Sequence, residues 1–267
     1  MIRRNLTSLT LAAAFLAASS LQASATNSGL LSMWDAVASA TTWEVATGVD
    51  YSTGKYGQPT DTQVLSVPLN ASVQLDRLRL EVTIPYLDVK GPGSYIGGVV
   101  IPSGAPMTNS GLGDINLGAA WLIHRDDGSF PAIEVAGSLK LPTASAGLGT
   151  GKWDYSAAIN FYHAFSPKFM LFGTVGYQWL SDFKTFNLEN GVMASAGLNF
   201  KPSTDTSVGM TVNYRAQYFQ GLGAQYSLSP YVLWNFSEHW RVTGYGMFGL
   251  SQASPRIGGG IRLALFG

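Results

Sequence analysis

Residues 69–84 read LNASVQLDRLRLEVTI. Leu69, Ala71, Val73 and Leu75 alternate with Asn70, Ser72 and Gln74. After Asp76-Arg77 the alternation restarts, with Leu78, Leu80, Val82 and Ile84 against Arg79, Glu81 and Thr83. A strand sends successive side chains to opposite faces, so this stretch predicts a hairpin with one apolar and one polar face. The pattern returns at 207–218, where Val208, Met210, Val212, Tyr214, Ala216 and Tyr218 alternate with Ser207, Gly209, Thr211, Asn213, Arg215 and Gln217. The apolar face is rich in Val, Leu, Tyr and Trp, while the other carries full charges. That repeat is the signature of an all-β transmembrane barrel, lipid outside and water inside.

On both sides of this hairpin the pattern continues. About twelve strands are expected between Trp43 and Phe266, centred on 43–51, 64–75, 78–87, 113–124, 130–141, 154–165, 169–180, 190–200, 206–218, 224–236, 240–250 and 256–266. Their connections alternate in length. Asp76-Arg77, 125–128, 166–168, 201–205 and 237–239 are tight turns; 55–61, 88–111, 143–153 and 181–189 are long. Outer-membrane barrels have short periplasmic turns and long outer loops, which orients the chain with both ends in the periplasm. The longest loop, 88–111, reads as an exposed cap or as a constriction folded into the mouth. Trp43, Phe169, Phe200, Trp234, Phe236 and Trp240 fall at the short-turn end. Tyr51, Tyr86, Tyr155, Tyr177, Trp179, Tyr218 and Tyr226 fall at the long-loop end, completing two aromatic girdles.

Composition agrees. Charged residues make up 12% of the 267 residues, about half the usual share of roughly 25%. The formal net charge is zero, which gives no general attraction for nucleic acid. The absence of cysteine excludes disulfides, thiolate metal sites and cysteine nucleophiles. Arg3, Arg4, the apolar run Leu9 to Leu21 and Ala23-Ser24-Ala25 read as a signal peptide over 1–25. Residues 26–42 form a periplasmic N-terminal segment, either a short helix or plug or a plain leader, and 43–267 the barrel. No later stretch is apolar and long enough for a spanning helix, so a membrane location requires a closed barrel.

Residues 111–123, GLGDINLGAAWLI, and 139–158, LKLPTASAGLGTGKWDYSAA, carry a family resemblance. A GxGD strand start, a strand ending in LPT and a glycine-rich loop with LGTG resemble the outer-membrane family named for the MetA pathway of phenol degradation. Ala144 stands where that family often has glycine after Pro-Thr. The resemblance implies a transporter or channel for small molecules, aromatic or hydrophobic ones among them.

Alternation assigns the charges of the wet face. The acids are Glu44, Asp50, Glu81, Asp114, Glu134 and Asp154; the bases are Arg79, Lys140, Arg215, Arg241, Arg256 and Arg262. All the acids fall on the first six strands and four of the bases on the last six. Two readings are open. The charges form opposed acidic and basic walls that orient dipolar solutes, or they pair with neighbours and fill a narrow interior. Leu122, Phe172, Leu180, Tyr162 and Tyr231 also point inward on this count.

The expected function is diffusion of small molecules across the bacterial outer membrane. The alternative is a structural or export barrel without solute transport. The expected partners are the bilayer with its lipopolysaccharide, a small solute and the barrel-insertion machinery, and homo-oligomers are left open. No enzyme activity, cofactor or metal is expected. His124, His163 and His239 sit toward the periplasmic end, away from the outer leaflet where a lipid hydrolase would act. Asp126 and Asp127 beside His124 read as a surface turn, and no HExxH or phosphate-loop pattern exists.

Overall fold

A computed structural model describes residues 42–96, 99–182 and 187–267. Among the described residues there are thirteen strands: β1 (Thr42–Gly54), β2 (Thr62–Leu75), β3 (Leu78–Ile96), β4 (Val99–Leu112), β5 (Asn116–His124), β6 (Ala132–Lys140), β7 (Asp154–Ser166), β8 (Phe169–Trp179), β9 (Gly191–Phe200), β10 (Thr206–Arg215), β11 (Gln225–Asn235), β12 (Trp240–Gly249) and β13 (Ile257–Phe266). All but β4 form a closed antiparallel ring of twelve, each strand beside its sequence neighbour, with β5 following β3 and β13 returning to β1. Backbone bonds between Trp43 and Gly267, 2.9 and 3.0 Å long, finish the seam at the short-turn end. Closure leaves the ring itself without an open edge, the condition for a sheet in lipid.

The expected twelve strands are all found. The expected signal peptide and the segment 26–42 lie outside the described residues, apart from Thr42, the first residue of β1.

The long loop is where the structure departs from expectation. Residues 88–96 and 99–111 are not irregular; the first stretch extends β3 and the second builds β4. β5 pairs with the inner part of β3, ending at Thr83↔Asn116, and β4 takes over at Tyr86↔Leu112. One wall position is therefore filled by two strands in succession. Glycine and proline within 88–111 point toward a loop, but both are tolerated where a strand leaves the barrel and one edge is free. The register slips between Gly91 and Gly93. Gly91 has φ +135°, and a Cβ there would lie 2.7 Å from the Asp61 carbonyl oxygen, so glycine alone lets the hairpin bend against the β1–β2 loop.

The outward face is apolar around the ring. Val45 and Val49 on β1, Val175 on β8 and Leu198 on β9 are all exposed, as are the girdle residues Trp43, Trp234, Tyr86 and Tyr155. A soluble protein would bury these; a barrel in hydrocarbon exposes them. Ile159, mid-strand in β7, faces outward between Val135 and Val175. Ile159→Arg is expected to cost about 2–4 kcal/mol, the charge penalty near the bilayer midplane. Urea unfolding of the barrel in lipid vesicles measures it, and a change under about 1 kcal/mol would place Ile159 away from the midplane.

Tyr218 corrects the girdle assignment. Strand β10 ends at Arg215, three residues before it, so alternation no longer fixes its direction. The ring is only 1% exposed and lies inside the outer mouth.

Candidate functional site: the barrel interior and its outer mouth

The interior is built by a simple device. Strands two apart lie roughly 9.5 Å from each other, a gap that a long side chain spans only if the strand between carries a small residue. Tyr231 on β11 faces Gly209 on β10, and its hydroxyl donates to Asn199 Oδ1 on β9 at 2.9 Å. Tyr245 on β12 faces Gly260 on β13 and donates to Asp50 Oδ1 on β1 at 2.7 Å. Arg241 faces Ala264 and reaches Glu44 Oε2 on β1 at 2.8 Å, with Asn235 Oδ1 accepting from Nε. Arg79 on β3 faces Ala120 on β5 and reaches Glu134 Oε1 on β6 at 2.8 Å.

The last pair sits in the deepest polar network. Glu134 Oε1 also accepts from Asn160 Nδ2 at 2.7 Å, and Asn160 Oδ1 accepts from Thr174 Oγ1 at 2.7 Å. Three strands, β6, β7 and β8, are thereby tied to β3 across the inner surface.

The small residues are as necessary as the long ones. A Cβ on Gly260 would stand 2.3 Å from Asp50 Oδ1 and 2.9 Å from Tyr245 Cε1. Gly260→Ala is expected to destabilise the barrel by about 1–3 kcal/mol through overpacking, read as a lower urea midpoint at unchanged slope. A neutral outcome would mean that Tyr245 moves freely away from Asp50.

The motif residues of 111–158 meet at the outer end of β5 and β6. Asp114 accepts from Lys140 Nζ at 2.9 Å and from the Ala144 amide at 3.0 Å. Asp154 is the second acid on Lys140, at 3.0 Å. Thr143 Oγ1 accepts from the Ile115 amide at 2.9 Å. Leu148, from the LGTG stretch, is buried with Tyr56, Val64, Leu87, Val89 and Val100. The motif thus ties the 141–153 loop to the wall and supplies part of an apolar cluster under the hairpin.

That cluster continues across the opening. Val100 on β4 is fully buried, and its carbonyl oxygen accepts from the Tyr218 hydroxyl at 2.9 Å. Tyr218 belongs to the β10–β11 loop, half the ring away from β3. It packs with Leu188, Leu180, Phe219 and Leu222, and the Arg215 guanidinium lies over its ring at 5.1 Å. Burial pushes the Tyr218 hydroxyl well above the ordinary tyrosine range, so it stays a donor through physiological pH. The β1–β2 loop joins the closure, since a Cβ on Gly57 would lie 2.9 Å from Leu222 Cδ1.

Placement of the charged candidates is now plain. Glu44, Asp50, Arg79, Glu81, Glu134, Lys140, Asp154, Arg215, Arg241 and Arg262 take inward positions on their strands, and Asp114 is buried just before β5. Arg256 precedes β13; its side chain is 68% exposed and pairs with Asp61 at 2.8 Å on the outer rim. Opposed acidic and basic walls do not form. Ring closure sets β12 and β13 beside β1, so the late arginines meet early acids: Arg241 reaches Glu44, and Arg262 lies 3.9 Å from Asp50. Leu122, Phe172, Tyr162 and Tyr231 are buried on the inner face, while Leu180 belongs to the loop cluster. Sequence reasoning misses Tyr245, although it shares the parity of Arg241 and Thr243 and stands between two glycines, Gly244 and Gly246. His124 is the last residue of β5 and His163 lies on β7 three residues before its end; they stand 3.8 Å from Asp127 and 3.4 Å from Asp126.

The family described as "Putative MetA-pathway of phenol degradation" matches residues 12–265. The chain belongs to this family. Its fold is similar to that of the COG4313 outer membrane channel from Pseudomonas putida F1, with TM-score 0.65 at 15% identity over 85% of this chain and 95% of that one. The NanC porin (TM-score 0.54, 8% identity, 82% of this chain and 97% of that) and the KdgM porin (TM-score 0.53, 7% identity, 83% and 98%) share the architecture. At such identities the likeness is one of fold. No curated protein matches in sequence. With its closed ring, apolar outer belt and aromatic girdles, this member of the phenol-degradation family is a barrel of the bacterial outer membrane.

Proposed function

We propose that the barrel is a channel through which small solutes diffuse across the outer membrane. The observation that carries this reading is the contrast between the two faces of one closed ring. The outer face is hydrocarbon-like, and the inner face is lined by charged and hydrogen-bonding side chains held flat against the wall. A structural anchor needs the first face but not the second. The inward charges named above, Arg256 excepted, are the proposed lining of the path.

The lining favours small amphipathic or aromatic solutes. Phe172, Tyr162, Tyr231 and Met170 pack on the inner face among the hydroxyls and amides of Thr174, Asn160 and Asn199. An interior of such mixed character suits an aromatic ring bearing one polar group. The family description, with its reference to phenol degradation, fits such solutes. An enzymatic role has less support, because all three histidines lie at the periplasmic end, away from outer-leaflet lipid.

Liposome swelling with phenols, fatty acids and sugars tests the reading. Phenol-sized solutes are expected to enter faster than into protein-free liposomes, and larger sugars are expected to be retarded. Absence of flux for every solute would leave the barrel as a structural or export element.

A further inference from the structure

One row of the inner face breaks the rule that the others obey. Where Arg241 spans to Glu44 and Tyr245 to Asp50, a donor meets an acid across a small residue. In the row running over β1, β2 and β3, Glu44 faces Ser72 and Ser72 faces Glu81, so acid stands on both sides of the small residue. The next row holds Asn70 opposite Thr83, with Asn70 Nδ2 donating to Thr83 Oγ1 at 2.6 Å. Asn70 is 5% exposed, and its Oδ1 is buried with no hydrogen-bond partner. These five residues line a cleft with room for a group of about water size.

The lining of the cleft is rich in acceptors and carries excess negative charge. Arg79 hydrogen-bonds over Ala120 to Glu134, with Glu81 also within reach of its charge, and Arg241 holds one oxygen of Glu44. Around the cleft, three carboxylates, of Glu44, Glu81 and Glu134, thus face two guanidiniums. Glu81 rests its carboxylate over Gly118, where a Cβ would come within 2.6 Å of it, so the space above Ser72 stays open and the charge forms its far rim. A buried carbonyl oxygen without a donor, hydroxyls beside it and an excess carboxylate together ask for a cation.

We propose that this cleft binds a small monovalent cation on the solute path, either the head of a protonated primary amine or an alkali ion. An ammonium head brings donors for Asn70 Oδ1 and the Ser72 hydroxyl together with a positive charge for Glu81. The proposal rests on the channel reading.

Planar-bilayer recording of the full chain in a KCl gradient tests it. The native protein is expected to prefer K+ over Cl−. Glu81→Gln is expected to reduce that preference by roughly fivefold, the size of one unit-charge interaction at about 4 Å in a water-like medium. Glu81→Asp is expected to retain most of it, which separates charge from folding. Methylammonium is expected to slow K+ current through the native protein and not through Glu81→Gln, which assigns the cleft to amine heads. Lost selectivity with no methylammonium effect assigns it to alkali ions. Selectivity unchanged in Glu81→Gln overturns the site and leaves the channel standing. No conductance from the native chain overturns the channel reading, and the site with it.

Discussion

Glu134→Ala is expected to destabilise the barrel by about 3–5 kcal/mol, the usual cost of removing one partner of a buried ion pair. Arg79, 1% exposed, would keep its charge and lose the carboxylate 2.8 Å away. Asn160 would lose its acceptor in the same step, which loosens the link from β7 and β8 to β3. The ordering of variants is the sharper test. Replacing both members, Arg79→Met with Glu134→Leu, removes the stranded charge and is expected to recover most of the loss. Urea unfolding in lipid vesicles reads both. A double variant as unstable as Glu134→Ala would mean that packing around the pair, and not the uncompensated guanidinium, carries the effect.

Opening the outer mouth is the second large effect. The β3–β4 hairpin crosses from one wall toward the other, and the Tyr218 hydroxyl holds it at the Val100 carbonyl. Tyr218→Phe removes one buried hydrogen bond, worth about 0.5–1.5 kcal/mol, and should raise the weight of open states by about twofold to tenfold. Single-channel recording is expected to show longer open dwell times at unchanged unit conductance. Shortening the hairpin from Gly91 to Met107 removes the obstruction itself and is expected to raise unit conductance. Unit conductance that stays the same after shortening would place the narrowest point deeper, among the side chains of the ring. The two variants therefore separate the latch from the obstruction.

Much of this molecule is legible along the chain. Alternation with period two locates the twelve ring strands, because lipid on one side and polar lining on the other impose opposite demands on successive residues. Turn chemistry and alternating connection lengths supply the orientation. Inward parity assigns Glu44, Arg79, Glu134 and Arg262 to the polar face of their strands. The resemblance carried by GLGD and LKLPT points to the family that the chain belongs to.

Other features depend on which strands become neighbours. Acids early and arginines late suggest two facing walls, but a closed ring joins its last strand to its first, so Arg241 and Glu44 are separated by 197 positions in sequence and 2.8 Å in space. Tyr218 carries the same alternation as its neighbours, yet the strand stops at Arg215, and the path of the chain beyond it is set by the other loops of the mouth. The glycines and prolines of 88–111 read as a loop because local propensity cannot show that an already formed strand, β3, offers a free edge to pair with.

The face that each strand residue takes is settled by the chain alone, since it comes from backbone geometry and the two solvents. Three things needed the folded ring: which charges neutralise each other, which rows hold a donor across from an acid and which row does not, and where the outer mouth is closed. Those outcomes depend on distances between strands remote in the chain, and hydrophobic period carries no information about them.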